Sequence, residues 1–260
     1  MTRAYTARAA VTAEPGPAPG SGPGPAHGPG PAHRARLTRL RSDGPLALRE
    51  TADALYLVGA AAGPLGGDDL ELAVTVRPGA RLAVRSAATS LALPGRGESR
   101  MTVRAEVGAG GHLDFAPEPT VAAAGCHHRA AAFVTLDEGA TLRWCEELVL
   151  GRHGERPGRH TSRFDVTIGG VPLLRHELRL DDPAVHGGRA VLDGARAVGS
   201  VLLAGPGLTR EPHTGEGLAV LPLAGPGVLV TATAPDSAEL RRRLVAGESL
   251  ALRAPATTSG

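Results

Sequence analysis

Side chains able to do chemistry gather in three places along the chain. Cys126, His127 and His128 set a thiol beside two imidazoles, the donor types that suit borderline and soft metals. Successive strand residues point to opposite faces, so Cys126 and His128 could share a site while His127 points away. No matching ligand pair stands at a metal-site spacing elsewhere. These two residues are therefore weak metal candidates, and no tightly bound metal is expected.

The second place is WCEELVLGRHGE (144–155), which holds the single Trp, the adjacent acids Glu146 and Glu147, then Gly151, Arg152 and Glu155. Two carboxylates suggest general acid–base chemistry. In a strand, however, neighbours face opposite ways, so one acid must point inward or toward a partner. An inward Glu needs a cation, and Arg152 is the nearby candidate for a structural ion pair. His153 and His160 fall in a Gly/Arg-rich loop, away from any turn that would expose a nucleophile. The third place is LYLVGAAAGPLGGDDL (55–70), an apolar strand running into glycines. A phosphate cradle needs GxGxxG opening a helix, or a Gly-rich loop ending in Lys. Here Gly63, Gly66 and Gly67 lead to Asp68 and Asp69, whose charge repels phosphate, and the chain contains no Lys.

These residues need elements to hold them. From residue 55 onward, short alternating runs end at Gly-containing turns, the mark of many short strands. VTVRPGARLAV (74–84), VRAEVGAGGHLDF (103–115) and VTLDEGATLRW (134–144) repeat one pattern of strand, turn and strand, and place Leu82, Leu113 and Leu142 about 30 residues apart. DVTIGGVPLLRHEL (165–178) reads as a weaker fourth copy, with Gly169 and Gly170 at the turn and Leu173 in step. A period near 30 implies stacked units that share a core. The expected fold is mainly β: stacked β-hairpins forming a β-helix-like or layered body, with one or two short helices. One helix is expected at DSAELRRRLVAG (236–247), capped by Asp236 with Glu239, ended by Gly247, and presenting Arg241, Arg242 and Arg243 outward.

Composition narrows the function. The 260 residues include 36 Gly and 22 Pro but only six aromatics, so long helices and base-stacking platforms are both disfavoured. Residues 14–33 carry seven Pro and six Gly, which predicts a disordered leader over 1–40, a single β-rich domain over 41–250 and a flexible tail over 251–260. Removing the leader is expected to leave function intact. Its Arg excess reflects composition, and no nucleic-acid partner is expected. No apolar run is long enough to span a membrane, and no signal-peptide layout is present, so a cytoplasmic protein with free thiols is expected.

The motifs together resemble the urease accessory protein family UreD, also called UreH. Gly63, Gly66, Gly67, Asp68 and Leu70 match its GG-x-x-GGD-x-L loop, with Ala62 in place of the first Gly. VRPGARLAVRSAAT (76–89) resembles its Gly-Ala hairpin, and FAPEPTV its L-P-x-P-T segment through Pro117, Pro119 and Thr120. Trp144, Glu146, Gly151 and Arg152 are in register with W-x-E-x-x-x-x-G-R, while Gly154 and Glu155 fall one position early. The likeness runs from about Pro45 to Leu244. The chain departs from the family in its leader, in AAAGCHH after the Pro-Thr segment, and in its short C-terminus.

The resemblance implies a β-rich chaperone scaffold without catalytic activity, acting in protein complex assembly and nickel insertion. Its implied partners are apo-urease, UreF and, through UreF, the GTPase UreG; its implied cargo is Ni²⁺ in transit through an internal water-filled passage. Asp68 and Glu146 are the candidate passage carboxylates, although Asp68 also suits a turn cap. Asp68→Ala is expected to lower urease activation without unfolding the chain. Two other classes fit the residues: a metal-dependent enzyme on a cupin-like or β-solenoid body, using Cys126–His128 with Glu146 or Glu147, and a β-sandwich binding module.

Overall fold

In the computed structural model, which describes residues 4–16 and 35–252, Leu82, Leu113 and Leu142 stand side by side on three parallel strands. The turn before each explains the alignment. The amides of Ala80, Gly111 and Ala140 donate to the carbonyls of Arg77, Gly108 and Asp137 at 2.9, 2.8 and 3.1 Å. The third residue of each turn is Gly79, Gly110 or Gly139, at φ +72°, +66° and +77°. A type II turn requires a positive φ there, which glycine adopts without steric cost.

Each of these turns carries the chain from one sheet into a second. The elements are β1 (Thr6–Glu14), β2 (Arg36–Arg41), β3 (Leu46–Glu50), β4 (Leu55–Gly59), β5 (Asp69–Val76), β6 (Arg81–Ser86), β7 (Ser90–Ala92), β8 (Ser99–Val107), β9 (His112–Phe115), β10 (Thr120–Ala122), β11 (His127–Leu136), β12 (Thr141–Leu150), β13 (Arg159–Ile168), β14 (Val171–Leu180), α1 (Pro183–His186), β15 (Ala197–Ala204), β16 (His213–Gly215), β17 (Leu218–Pro222), β18 (Gly227–Ala234) and α2 (Ser237–Ala251). The first sheet has the order β14-β13-β11-β8-β5-β1-β2. The second runs β16-β17-β18-β15-β12-β9-β6-β4-β3, with β10 pairing β12 and β7. The mainly β, solenoid-like body expected from the 30-residue period is present, but its unit is an arch between sheets and not a hairpin. The reason is that β5, β8 and β11 pair with one another in parallel, as do β6, β9 and β12.

The fourth copy differs. β13 and β14 pair antiparallel in one sheet around Gly169 and Gly170, so Leu173 does not join the ladder of Leu82, Leu113 and Leu142. Between the sheets, alternate strand residues such as Leu72, Val74, Val84, Leu113, Leu136 and Val166 make the core. Trp144 stacks on Phe115 at 4.0 Å between ring centroids and on Phe164 of the opposite sheet at 5.3 Å. Three of the six aromatics thus meet at one point of the core, where their bulk fills volume that small side chains would leave empty.

The chain ends depart from the expected boundaries. Thr6–Glu14 and Arg36–Arg41 are strands, and β1 lies in the first sheet between β2 and β5, burying Ala7, Ala9, Val11 and Ala13. Alternating Ala and Val at these positions is a short strand pattern that the Pro/Gly run beside it obscured. The remainder of the expected leader, residues 17–34, lies outside the described residues, as do 1–3 and 253–260. At the other end, Asp236 caps α2 by accepting from the Glu239 amide at 2.8 Å. The helix continues through Gly247 to Ala251, because Gly247 serves packing there: a Cβ on it would stand 2.5 Å from Val230 Cγ1. Leu240 and Leu244 are buried against the second sheet, each worth about 1.5–3 kcal/mol.

Candidate functional site

Asp68 and Glu146, 78 positions apart in sequence, line one cavity of about 530 Å³ that opens to the surface. Gly63, Leu70, Pro117, Thr120 and Trp144 are also on its wall, so seven of the motif residues meet there. Three further motif residues, Gly66, Gly67 and Pro119, shape the backbone beside these. Gly66 touches Gly95 so closely that a Cβ on either would sit within 2.6 Å of the other's backbone. Gly67 has φ +98°. The Pro119 carbonyl accepts from the Ser90 amide at 3.0 Å.

Asp68 is buried at 2% exposure and accepts from the amides of Tyr5 and Leu65, each at 2.8 Å. It is thus a turn cap and a cavity residue at once. Glu146 is half-buried and accepts from the Trp144 indole nitrogen at 2.9 Å. Burial pushes its carboxyl above the usual carboxylate range, and the indole N–H offsets this only in part. The expected Glu146–Arg152 ion pair is not formed: Arg152 closes the β12–β13 loop by pairing with Glu155. Local spacing suggested the pair, but the loop turns away at Gly151, φ +78°. Glu155 also accepts from the amides of Ala124 and Arg152, and these contacts hold its carboxyl at about 2.

Glu147 faces the other way, as strand alternation requires, and pairs with Arg241 of α2, which also reaches Glu118 at 3.0 Å. Arg241, expected to be a solvated residue, is therefore tied to the strand layer. Glu118 and Glu147 line both the large cavity and a second one of about 310 Å³ beneath α2. In that second cavity Arg143 bridges Asp114 and Glu248.

The expected pairing of Cys126 with His128 does not occur. Cys126 precedes β11, is buried against Gly158, and its Sγ lies 3.8 Å from the Arg159 carbonyl. Burial raises its thiol to about 11 and that of Cys145 to about 12, so neither is a thiolate at neutral pH. His128 instead neighbours His160, which belongs to buried strand β13 and not to a loop. Burial lowers the two imidazoles to about 4 and about 3. Ser99, His128 and His160 occupy matched register positions on β8, β11 and β13, and Asp68, the residue before β5, is in step with Ser99 because Asp69 pairs with Arg100. Their sequence spacing near 30 was the signal that would have found them. Among the described residues, no group of three or more His, Cys, Asp and Glu is placed to hold a metal ion.

Among the described residues, no helix is long and apolar enough to cross a membrane. A family model described as UreD urease accessory protein matches residues 30–258. The urease accessory protein UreD of Parafrankia sp. (strain EAN1pec) is 47% identical, with 81% of each chain covered. That of Frankia alni is 45% identical over 81% of this chain and 86% of its own. That of Streptomyces avermitilis is 46% identical over 79% of this chain and 86% of its own. These relatives are named accessory proteins, which points to a non-catalytic role, and the motif residues gathered around the cavity are those that carried the resemblance. The chain belongs to the UreD family of urease accessory proteins.

Proposed function

We propose that this chain is a cytoplasmic scaffold that brings nickel to apo-urease, with UreF and, through UreF, the GTPase UreG as its partners, and that Ni²⁺ passes through the large cavity. The observation that carries this reading is Glu146, a half-buried acid in the cavity wall that accepts from an indole N–H and, among the described residues, forms no ion pair. Desolvation raises this carboxyl above its usual range, which favours its proton-bound form relative to a free glutamate. Proton and divalent cation would compete for the same oxygens, so the carboxylate would hold nickel without trapping it.

The test is Glu146→Gln, which keeps the acceptor for Trp144 and removes the charge. Expressed with the urease subunits, UreF and UreG, it should fold and co-purify with UreF and apo-urease, while urease activation falls at least about ten-fold. Activation at the unsubstituted level would refute passage past Glu146. Failure of the unsubstituted chain to co-purify with UreF or apo-urease would refute the scaffold role.

A further inference from the structure

We propose that His128 and His160 form a two-imidazole station on the cavity wall for a borderline divalent cation, with Ser99 as the positioning residue for His128. The two histidines are register partners on β11 and β13, and both line the large cavity. Their rings lie 5.5 Å apart between centroids, tilted by 39°. A metal about 2.1 Å from one nitrogen of each ring, at a near-tetrahedral angle, sets the centroids roughly 5 to 5.5 Å apart. The spacing therefore suits one shared ion.

The hydrogen bonding also suits it. His160 is 5% exposed, and among the described residues nothing partners its buried Nδ1. Buried polar atoms are ordinarily satisfied, so an orphan on a cavity wall calls for a ligand. The Ser99 hydroxyl lies 2.9 Å from His128 Nδ1 and donates to the His127 carbonyl at 3.4 Å. In the tautomer that carries its proton on Nδ1, His128 donates to Ser99 and leaves its Nε2 lone pair free for a metal. Burial keeps both rings neutral, the ligating form. Two protein ligands leave the other positions to water, so exchange is fast and binding is weak. This station deepens the nickel-passage reading and rests on it for its role in the cell, but the geometry and the test below do not depend on urease.

The test uses the purified full chain. Zinc sulfate, a diamagnetic probe, is titrated into ¹⁵N-labelled protein while histidine ring nitrogens are followed by NMR, with His128 and His160 assigned through His128→Gln and His160→Gln. Nickel chloride affinity is measured in parallel by equilibrium dialysis. Saturable shifts of both rings are expected, with nickel affinity reduced at least about ten-fold in either Gln variant and about ten-fold in Ser99→Ala. Unmoved His128 and His160 signals would overturn the proposal, and so would the absence of any saturable histidine-ring shift in the unsubstituted protein, whether or not the variants fold. Saturable shifts at both rings, combined with full urease activation by Glu146→Gln, would leave this station standing while removing the passage past Glu146.

Discussion

Asp68 Oδ1 accepts a 2.8 Å hydrogen bond from the amide of Tyr5, 63 residues away in the chain, while its Oδ2 accepts from Leu65. One carboxylate thereby ties the start of the chain to the glycine loop at the cavity. Asp68→Ala strands two amides, each worth about 1–3 kcal/mol when left unpaired. The expected result is a loss of about 2 kcal/mol or more in urea unfolding, together with lower urease activation. This differs from the expectation that the substitution would spare the fold; stability equal to the unsubstituted chain would restore that expectation.

Truncation at the N-terminus should be costly. β1 pairs with β5 from Thr6↔Asp69 to Ala13↔Val76 and covers part of the core. Deleting residues 1–16 exposes the β5 edge and the apolar face behind it, an invitation to aggregation. Size-exclusion chromatography of the truncated chain should show aggregate in place of the normal species, and urease activation should be lost with it. A normal elution profile would show that β1 is dispensable.

Gly247→Ala tests helix packing against helix propensity. In an exposed helix the change gains about 1 kcal/mol. Here the new methyl would stand 2.5 Å from Val230 Cγ1 and 2.9 Å from Leu218 Cδ1. Val230 is fully buried and stiff at χ1. Overpacking costs about 1–3 kcal/mol, so the clash should win and the melting temperature should fall. A rise would mean that α2 can move off the sheet.

Acid should open the loop closed by Glu155. Its folded-state carboxyl titrates at about 2, held there by Arg152 and two backbone amides, against an ordinary value of 4.5. A depressed acid contributes stability above the unfolded value and loses it as pH falls, here from about 4.5 toward 2. Amide exchange at Ala124 and Arg152, after correction for intrinsic rates, should accelerate between pH 5 and pH 3. Glu155→Gln should show the faster exchange at both values. Protection independent of pH would refute the clasp.

Period and turn chemistry were legible in the chain itself. Leu82, Leu113 and Leu142 are spaced by their stacking, and Gly79, Gly110 and Gly139 are demanded by local backbone angles, so one strand of sequence carries both signals. The family motifs were legible for the same reason: glycine turns and the Trp144–Glu146 alternation are local. Whether a turn reverses the chain within a sheet or arches it into a second one depends on which strands pair, and pairing is a long-range choice governed by shared core burial. The tertiary structure alone made β5, β8, β11 and β13 neighbours, and so set Asp68, Ser99, His128 and His160 in one row, of which Asp68, His128 and His160 line the same cavity as Glu146. It also took Arg152 from Glu146 and gave it to Glu155, because the ion pair that forms is the one the loop geometry allows, and adjacency in sequence carries no information about that.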